Sequence, residues 1–286
     1  MSKITQPDDA PLACQPNRWS VYLMLAGCMV LWGGTWPVGR VVARSVAPAN
    51  AALLRFVMAS ASLVLLCLKT GGPRALRVRP RLLPQLVLLG ATGIFGYSFL
   101  FFSGLRTITA GRAALIVGCI PMCISLCSSL IAWKRLPMLA VVGILLSLAG
   151  VAVVVGNGNP LALLRGGVQP GDLMILGCVG CWTAYSLLAR PVMRELSPLV
   201  AVTWSCLFGT AMLLPPALAC GLAQDIAATS LWGWASLAYL GVLATSFGYY
   251  WYYHAIHHIG TGMPRFSDPV VMREPLPYRS FCCPAA

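Results

Sequence analysis

The sequence predicts an all-α integral membrane protein, a polytopic helical bundle of two inverted repeats. Three observations support this class: the apolar composition, a series of long uncharged stretches, and an internal repeat. Of the 286 residues, 58% are hydrophobic and 9% are charged, whereas a soluble domain carries roughly 25% charged residues. The excess of apolar side chains must therefore face lipid instead of water.

Eight stretches are long and apolar enough for a membrane helix, which takes about 20 residues. In chain order they are residues 19–39, 51–68, 82–105, 113–133, 136–164, 173–189, 196–224 and 226–253. Only the second stretch contains a charged residue, Arg55. A cleaved signal peptide is a weak alternative for the first stretch, because Asp8 and Asp9 precede it and Trp32 and Trp36 lie within it.

Basic residues outnumber acidic ones by 20 to 7, which indicates either nucleic-acid binding or the positive-inside bias of membrane loops. With the N-terminus in the cytoplasm, 14 basic residues fall in inner segments and 5 in outer loops. This distribution favours cytoplasmic N- and C-termini. Because the charges lie in short loops between spans, no nucleic-acid partner is predicted.

The chain contains an internal repeat. An offset of 150 residues superposes Trp32 on Trp182, and an offset of 151 superposes Gly90 on Gly241. The repeat unit holds five predicted helices, and an odd number of crossings inverts the second copy relative to the first. Two inverted halves that rock about a central site are typical of secondary transporters, which work by alternating access.

The repeat and the composition divide the chain into five parts. We expect a cytoplasmic N-terminal segment at 1–18, a first repeat of five helices at 19–155, an outer linker at 156–172, an incomplete second repeat of three helices at 173–262, and a non-membrane tail at 263–286.

Small residues and prolines indicate where helices approach closely or bend. Gly90, Gly93 and Gly96 place one glycine per turn on the third predicted helix, which suits either static close packing or sliding of helices. Pro121 lies within the fourth predicted helix and can kink it. We therefore expect these four residues at packing or hinge positions.

Several motifs resemble the EamA family of the drug/metabolite transporter superfamily. Residues 31–37 (LWGGTWP), Pro48 and residues 54–56 (LRF) are similar to the start of an EamA repeat, and residues 109–115 (TAGRAAL) with Pro121 are similar to its later part. The resemblance covers roughly residues 19–262. It implies a ten-helix protein of the bacterial inner membrane that exports or imports metabolites, amino acids or toxic compounds.

Two positions depart from the family pattern. Lys134 stands where the family usually has a glutamate after the fourth helix. After Gly262 the repeat predicts a ninth helix, but residues 263–286 contain five prolines and five charged residues, which forbid one. We therefore expect that a frameshift or truncation removed the last two helices, and an inactive remnant is an alternative to a working transporter. An EamA-like continuation in another frame of the downstream DNA would support this expectation.

Aromatic residues in the spans are candidates for a substrate cavity lined by the first, third, fourth, sixth and eighth helices. The candidates are Trp32, Trp36, Tyr97, Trp182, Tyr185, Tyr249 and Tyr252, together with Arg55. Aromatic rings can stack on a substrate that makes few fixed hydrogen bonds. For the tyrosines near the end of the eighth stretch, an aromatic belt at the membrane interface is the alternative.

Arg55 has no charged mate in the repeat, where Ser205 takes its place. Its side chain can either hold an anionic substrate or extend to the membrane interface. No predicted span contains Asp or Glu. The usual carboxylate route for proton coupling is therefore absent, which favours facilitated diffusion or coupling through another group.

Neither a metal site nor a cofactor is predicted. His254 and His258 have a spacing that can share a metal, but no cysteine or carboxylate in the eighth stretch completes the ligand set. An intramembrane enzyme is a second functional class, and it would need paired catalytic groups within the spans. The predicted partners are the lipid bilayer and a small-molecule substrate, and the oligomeric state stays open.

Overall fold

All regular structure is helical in the residues that the computed structural model describes, which are 18–133, 138–156, 158 and 168–252. In this part of the chain the helices are α1 Arg18–Ser45, α2 Pro48–Gly71, α3 Pro80–Thr107, α4 Ala110–Ile131, α5 Met138–Val155, α6 Pro170–Val192, α7 Pro198–Ala219, α8 Leu222–Ala228 and α9 Leu231–Tyr252. Helix α3 contains a π-helical segment, Gly90–Gly96, and α9 contains another, Tyr239–Phe247.

Six of the described helices are long and apolar enough to cross a membrane: α1 to α4, α6 and α7. Helices α8 and α9 add a seventh span if they count as one, but the chain bends by 111° between them. Helix α5 is apolar, but the part of it that was compared, Val141–Val155, is too short to count among them. Each of the eight predicted stretches therefore contains a helix, and within the described residues six or seven of these helices are long enough to span a membrane.

The break in the helical structure between α7 and α9 has a local cause. Helix α7 ends at Ala219 because Gly221 takes a left-handed conformation, with φ of 74°, which glycine adopts without strain. The short α8 then leads to Ser230, whose hydroxyl accepts a hydrogen bond from the Gly233 N–H at 3.2 Å and caps α9. A corner replaces the continuous helices that the apolar composition predicts.

Helix α6 begins earlier than its apolar stretch. Gln169 and Asp172 form a reciprocal capping box around Pro170, so Asp172 lies in the first turn of the helix and is fully buried. The sequence analysis placed Asp172 in the linker, because a charge ended the apolar stretch. The expectation that no span contains an acidic residue is therefore wrong.

Helices α2 and α7 form the central pair of the bundle and pack extensively against each other. The hydroxyls of Ser60 on α2 and Thr210 on α7 are hydrogen-bonded at 3.1 Å. On one side of this pair, α3 packs against α6 and α7; on the other side, α9 packs against α1 and α2. The third helix of each predicted repeat thus lies against the first two helices of the other.

Glycines make the two crossings close. A Cβ atom at Gly90 would lie 2.8 Å from the Gly209 nitrogen and 2.9 Å from the Ser205 carbonyl oxygen on α7. A Cβ atom at Gly241 would lie 2.5 Å from the Arg55 carbonyl oxygen on α2. Ser205 and Arg55 occupy equivalent positions in the two predicted repeats, 150 residues apart. The two close approaches are therefore equivalent: Gly90 lies against Ser205, and Gly241 lies against Arg55.

Apolar side chains cover much of the outside of the bundle. Leu145, Leu146 and Trp232 are 60%, 73% and 82% exposed, as expected for helix faces that contact lipid. Helix α5 contacts mainly α4 and lies at the periphery of the described bundle. The main buried core joins α1, α2, α3, α4, α6, α7 and α9, and Val155 at the end of α5 also belongs to it.

Candidate functional site

An aromatic layer lies at mid-depth in the bundle, since Trp32 is halfway along α1 and Trp182 is halfway along α6. The layer consists of Trp32, Trp36, Tyr97, Phe101, Trp182, Tyr185, Tyr249 and Tyr252. It includes every aromatic residue that the sequence analysis proposed for a cavity, and it adds Phe101. The rings form two groups.

The first group joins α1 to α9. The ring centroid of Trp32 lies 5.7 Å from that of Tyr249 and 5.3 Å from that of Tyr252. Trp32 also donates from its indole Nε1 to the carbonyl oxygen of Ala244 at 3.0 Å, within the π-helical segment of α9. Tyr249 and Tyr252 therefore contact the middle of α1.

The second group joins α1, α3 and α6. Phe101 on α3 contacts Trp36 at 5.2 Å and Tyr97 at 6.1 Å between centroids. Tyr97 contacts Trp182 at 5.3 Å, and Trp182 contacts Tyr185 at the same distance. The first and third helices of one predicted repeat thus share an aromatic surface with the first helix of the other.

The two groups contain one reciprocal contact. Trp32 in the first predicted repeat packs on Tyr249 in the second, and Trp182 in the second packs on Tyr97 in the first. The tryptophans are mates at the offset of 150. Each half of the bundle therefore supplies a tryptophan to a tyrosine of the other.

Arg55 lies on α2 beside both aromatic groups. Its Nη2 donates to Thr245 Oγ1 of α9 at 3.3 Å, and its Cζ lies 5.8 Å from the ring centroid of Phe101. Tyr97 and Tyr249 are close enough to interact electrostatically with the guanidinium. The side chain therefore points into the bundle, which is the inward alternative of the sequence analysis, and it does not extend to the interface.

The proposed packing positions are three glycines on α3 and one proline on α4. Gly90 lies against the backbone of α7, and Gly93 lies against the Tyr185 ring, where a Cβ atom would overlap it. Gly96 faces the Cys181 sulfur, 3.1 Å from the position of a Cβ atom. Pro121 follows a tight turn that interrupts α4 between Val117 and Ile120. The three glycines admit close neighbours, and the interruption of α4 coincides with its proline.

A buried ion pair that the sequence pattern does not predict joins Arg112 on α4 to Asp172 on α6. Arg112 donates from Nε to Oδ1 and from Nη2 to Oδ2 of Asp172, both at 2.6 Å. Nη2 also donates to the Val155 carbonyl oxygen at 2.7 Å. The Arg112 and Asp172 side chains are 9% and 0% exposed. The pair fastens α4, α5 and α6 together, and the capping-box pattern before α6 is the signal that could have revealed its acid.

A second polar contact fastens α8 to the start of α2. Asp225 Oδ2 accepts hydrogen bonds from the Ala47 N–H at 2.9 Å and from Asn50 Nδ2 at 2.7 Å. Both polar contacts lie at the bundle face where α1 ends and α6 begins. Side-chain hydrogen bonds to two acidic groups therefore link neighbouring helices at that face.

Within the described residues, no group of three or more His, Cys, Asp or Glu side chains is placed to hold a metal. Lys134, the histidines at 254, 257 and 258, the N-terminal segment at 1–17 and the tail at 263–286 lie outside the described residues.

Comparison with known proteins identifies relatives over most of the chain. The model of the EamA-like transporter family matches residues 19–156 and 169–263. An uncharacterized transporter of Bacillus subtilis, YyaM, is 26% identical over 84% of this chain and 79% of its own length. A protein of Streptantibioticus cattleyicolor, named a probable terminal-alkyne amino-acid exporter, is 28% identical over 81% of this chain and 73% of its own length.

A solved crystal structure is among those that resemble the bundle, with a TM-score of 0.51 and 24% sequence identity. The alignment covers 84% of this chain and 80% of that chain. At this level of identity the likeness concerns the fold alone.

Proposed function

Because the chain belongs to the EamA-like transporter family, and is therefore a multi-pass membrane transporter and not an enzyme, we propose that it carries small, partly apolar organic solutes by alternating access. Amino acids are included among these solutes, because one relative over most of the chain is named an amino-acid exporter. The aromatic layer is the proposed binding region, at the depth where such transporters hold their substrates.

The reciprocal contact of Trp32 with Tyr249 and of Trp182 with Tyr97 is the observation that carries this proposal. Alternating access needs two halves that make equivalent contacts around a central site, so that either face can open. The close approaches of Gly90 to α7 and of Gly241 to α2 repeat the same relationship. These contacts support an inverted repeat with its site between the halves.

The chemistry of the layer favours a partly apolar solute. Rings on four helices, α1, α3, α6 and α9, offer π-faces and edges, and all but one of them also carry the indole N–H of a tryptophan or the hydroxyl of a tyrosine. Such a surface accepts solutes of related shape that combine an apolar body with a polar group. We further propose that the protein lies in a bacterial inner membrane with its N-terminus in the cytoplasm, since 14 of the basic residues fall on that side and 5 on the other.

Efflux from bacterial cells that express the full chain tests the proposal. Cells are loaded with a panel of aromatic and aliphatic amino acids, and export is compared with that of cells carrying an empty vector. We expect export of at least one amino acid, and we expect Trp32→Ala and Trp182→Ala each to lower it, because each removes one of the two reciprocal ring contacts.

The matched control is Trp232→Ala, because Trp232 is 82% exposed on the outside of the bundle. Its export should equal that of the unmodified chain when the amounts in the membrane are equal. Export no faster than from empty-vector cells, or equal losses in all three variants, would contradict the proposal.

A further inference from the structure

We propose that Arg55 binds the carboxylate group of the transported solute, an inference that rests on the transport function proposed above. The solute is then an organic carboxylate with an apolar body. Its charged end pairs with the guanidinium, and its body lies on the aromatic layer.

The guanidinium has hydrogen-bonding capacity that the described part of the protein leaves unused. A guanidinium carries five N–H donors. Arg55 Nε is buried without a hydrogen-bond partner, and Nη2 makes a single bond, to Thr245. A charged group inside a protein is costly unless a counter-charge and hydrogen-bond acceptors accompany it. The side chain keeps some exposed surface, so an acceptor can reach it.

No acidic side chain of the described residues supplies that counter-charge. Each of the three acids in this part of the chain is engaged elsewhere: Asp172 with Arg112, Glu195 with Arg81, and Asp225 with Asn50. The counter-charge for Arg55 must therefore come from outside these residues, and a bound anion can supply it.

The surroundings of Arg55 favour an organic carboxylate over an inorganic anion. The guanidinium lies 5.0 Å from the ring centroid of Phe56 and 5.8 Å from that of Phe101. Arginine's planar fork matches the two oxygens of a carboxylate. The adjoining rings give an apolar body a surface to pack on, and a hydrated inorganic ion gains nothing from them.

The site belongs to one half of the bundle only. Ser205, the mate of Arg55 at the offset of 150, is buried and donates its hydroxyl to the Ala201 carbonyl oxygen at 2.7 Å within α7. Alternating access by two equivalent halves does not itself require an arginine in one half and a serine in the other. A single positive charge instead gives the solute one orientation in the aromatic layer.

Binding of acids and their neutral amides by the full-length purified protein tests the inference. The probes are three matched pairs: 3-phenylpropionate with 3-phenylpropionamide, hexanoate with hexanamide, and N-acetyl-phenylalanine with its amide, and chloride is the inorganic anion. We expect at least one acid to bind about tenfold or more tightly than its own amide. This comparison needs no variant, so it does not depend on the folding of one.

Variants then assign the preference to Arg55. Arg55→Gln should bind acid and amide equally, Arg55→Lys should keep part of the preference, and Arg44→Gln should keep all of it, because Arg44 is exposed at the end of α1. Equal binding of acid and amide by the unmodified protein would overturn this inference and leave the transport function standing. A preference that persists in Arg55→Gln, or competition by chloride as strong as that by the acids, would also overturn it. Failure of every probe to bind would contradict both proposals.

Discussion

The hydroxyl oxygens of Ser60 and Thr210 lie 3.1 Å apart, and the two residues are separated by 150 positions in the chain. The same offset relates Trp32 to Trp182. Two points related by a two-fold axis come together only where the axis passes between them. The contact between these hydroxyls therefore marks the place, between α2 and α7, at which the axis of the proposed inverted repeat crosses the bundle.

Closeness of α3 and α7 predicts the effect of enlarging Gly90. We expect Gly90→Val to destabilise the protein by about 1–3 kcal/mol, because the new side chain meets the α7 backbone and not a flexible side chain. Thermal unfolding in detergent measures the effect. Gly143→Val is the control, since nothing lies within 4 Å of a Cβ atom there. Equal melting temperatures for the two variants would show that the crossing tolerates a larger residue.

Burial of the ion pair between Arg112 and Asp172 predicts that removing one partner destabilises the protein more than removing both. Arg112→Met or Asp172→Leu alone should cost about 3–5 kcal/mol, because each leaves an uncompensated charge inside the protein. The double variant should recover part of that loss, since both charges are gone. Unfolding of all three variants by heat or denaturant provides the comparison. A double variant as unstable as the sum of the single ones would speak against this account.

Hydrogen bonds to Asp225 predict that its loss destabilises the protein locally, around α8. Asp225→Ala removes the acceptor for the Ala47 N–H and for Asn50 Nδ2, at a cost of about 1–3 kcal/mol. We expect faster proteolysis near α8 before global unfolding. Gln224→Ala, at an exposed neighbouring position, should leave the rate unchanged. Unaltered cleavage in Asp225→Ala would mean that the two hydrogen bonds do not hold this corner.

Orientation in the membrane can be measured with reporter insertions. The connection between α2 and α3 carries Arg74, Arg77 and Arg79, so we expect it in the cytoplasm. Alkaline phosphatase inserted there should be inactive, and phosphatase inserted between α1 and α2 should be active. Green fluorescent protein at the same two points should give the reverse pattern. Active phosphatase between α2 and α3 would reverse the proposed orientation.

Helix existence and the grouping of the aromatic candidates in the bundle could be predicted from the sequence, because both depend on local features. Long apolar stretches require helices in lipid, and the repeat singled out Trp32 with Trp182. Phe101 escaped prediction because it lies among apolar neighbours on a helix with several apolar faces, so periodicity does not separate the core side from the lipid side. Thr245 escaped for the same reason.

Boundaries and polar contacts were harder to predict, because they depend on pairing. A rule that ends each helix at its first charge excludes Asp172, yet a carboxylate is admitted to a buried first turn when Arg112 neutralises it. The direction of the Arg55 side chain could not be decided from the sequence either. It follows from Thr245 and Phe101, which are distant in the chain and adjacent in the bundle.

The exchange of third helices between the halves has a consequence for folding. Because α3 covers α6 and α7 while α9 covers α1 and α2, neither half alone can cover the surfaces that it presents to the other. Two copies of one half would satisfy each other only if they entered the membrane in opposite directions. The contact pattern is the one that we expect of the proposed inverted repeat, in which each half shields the surface of the other from lipid.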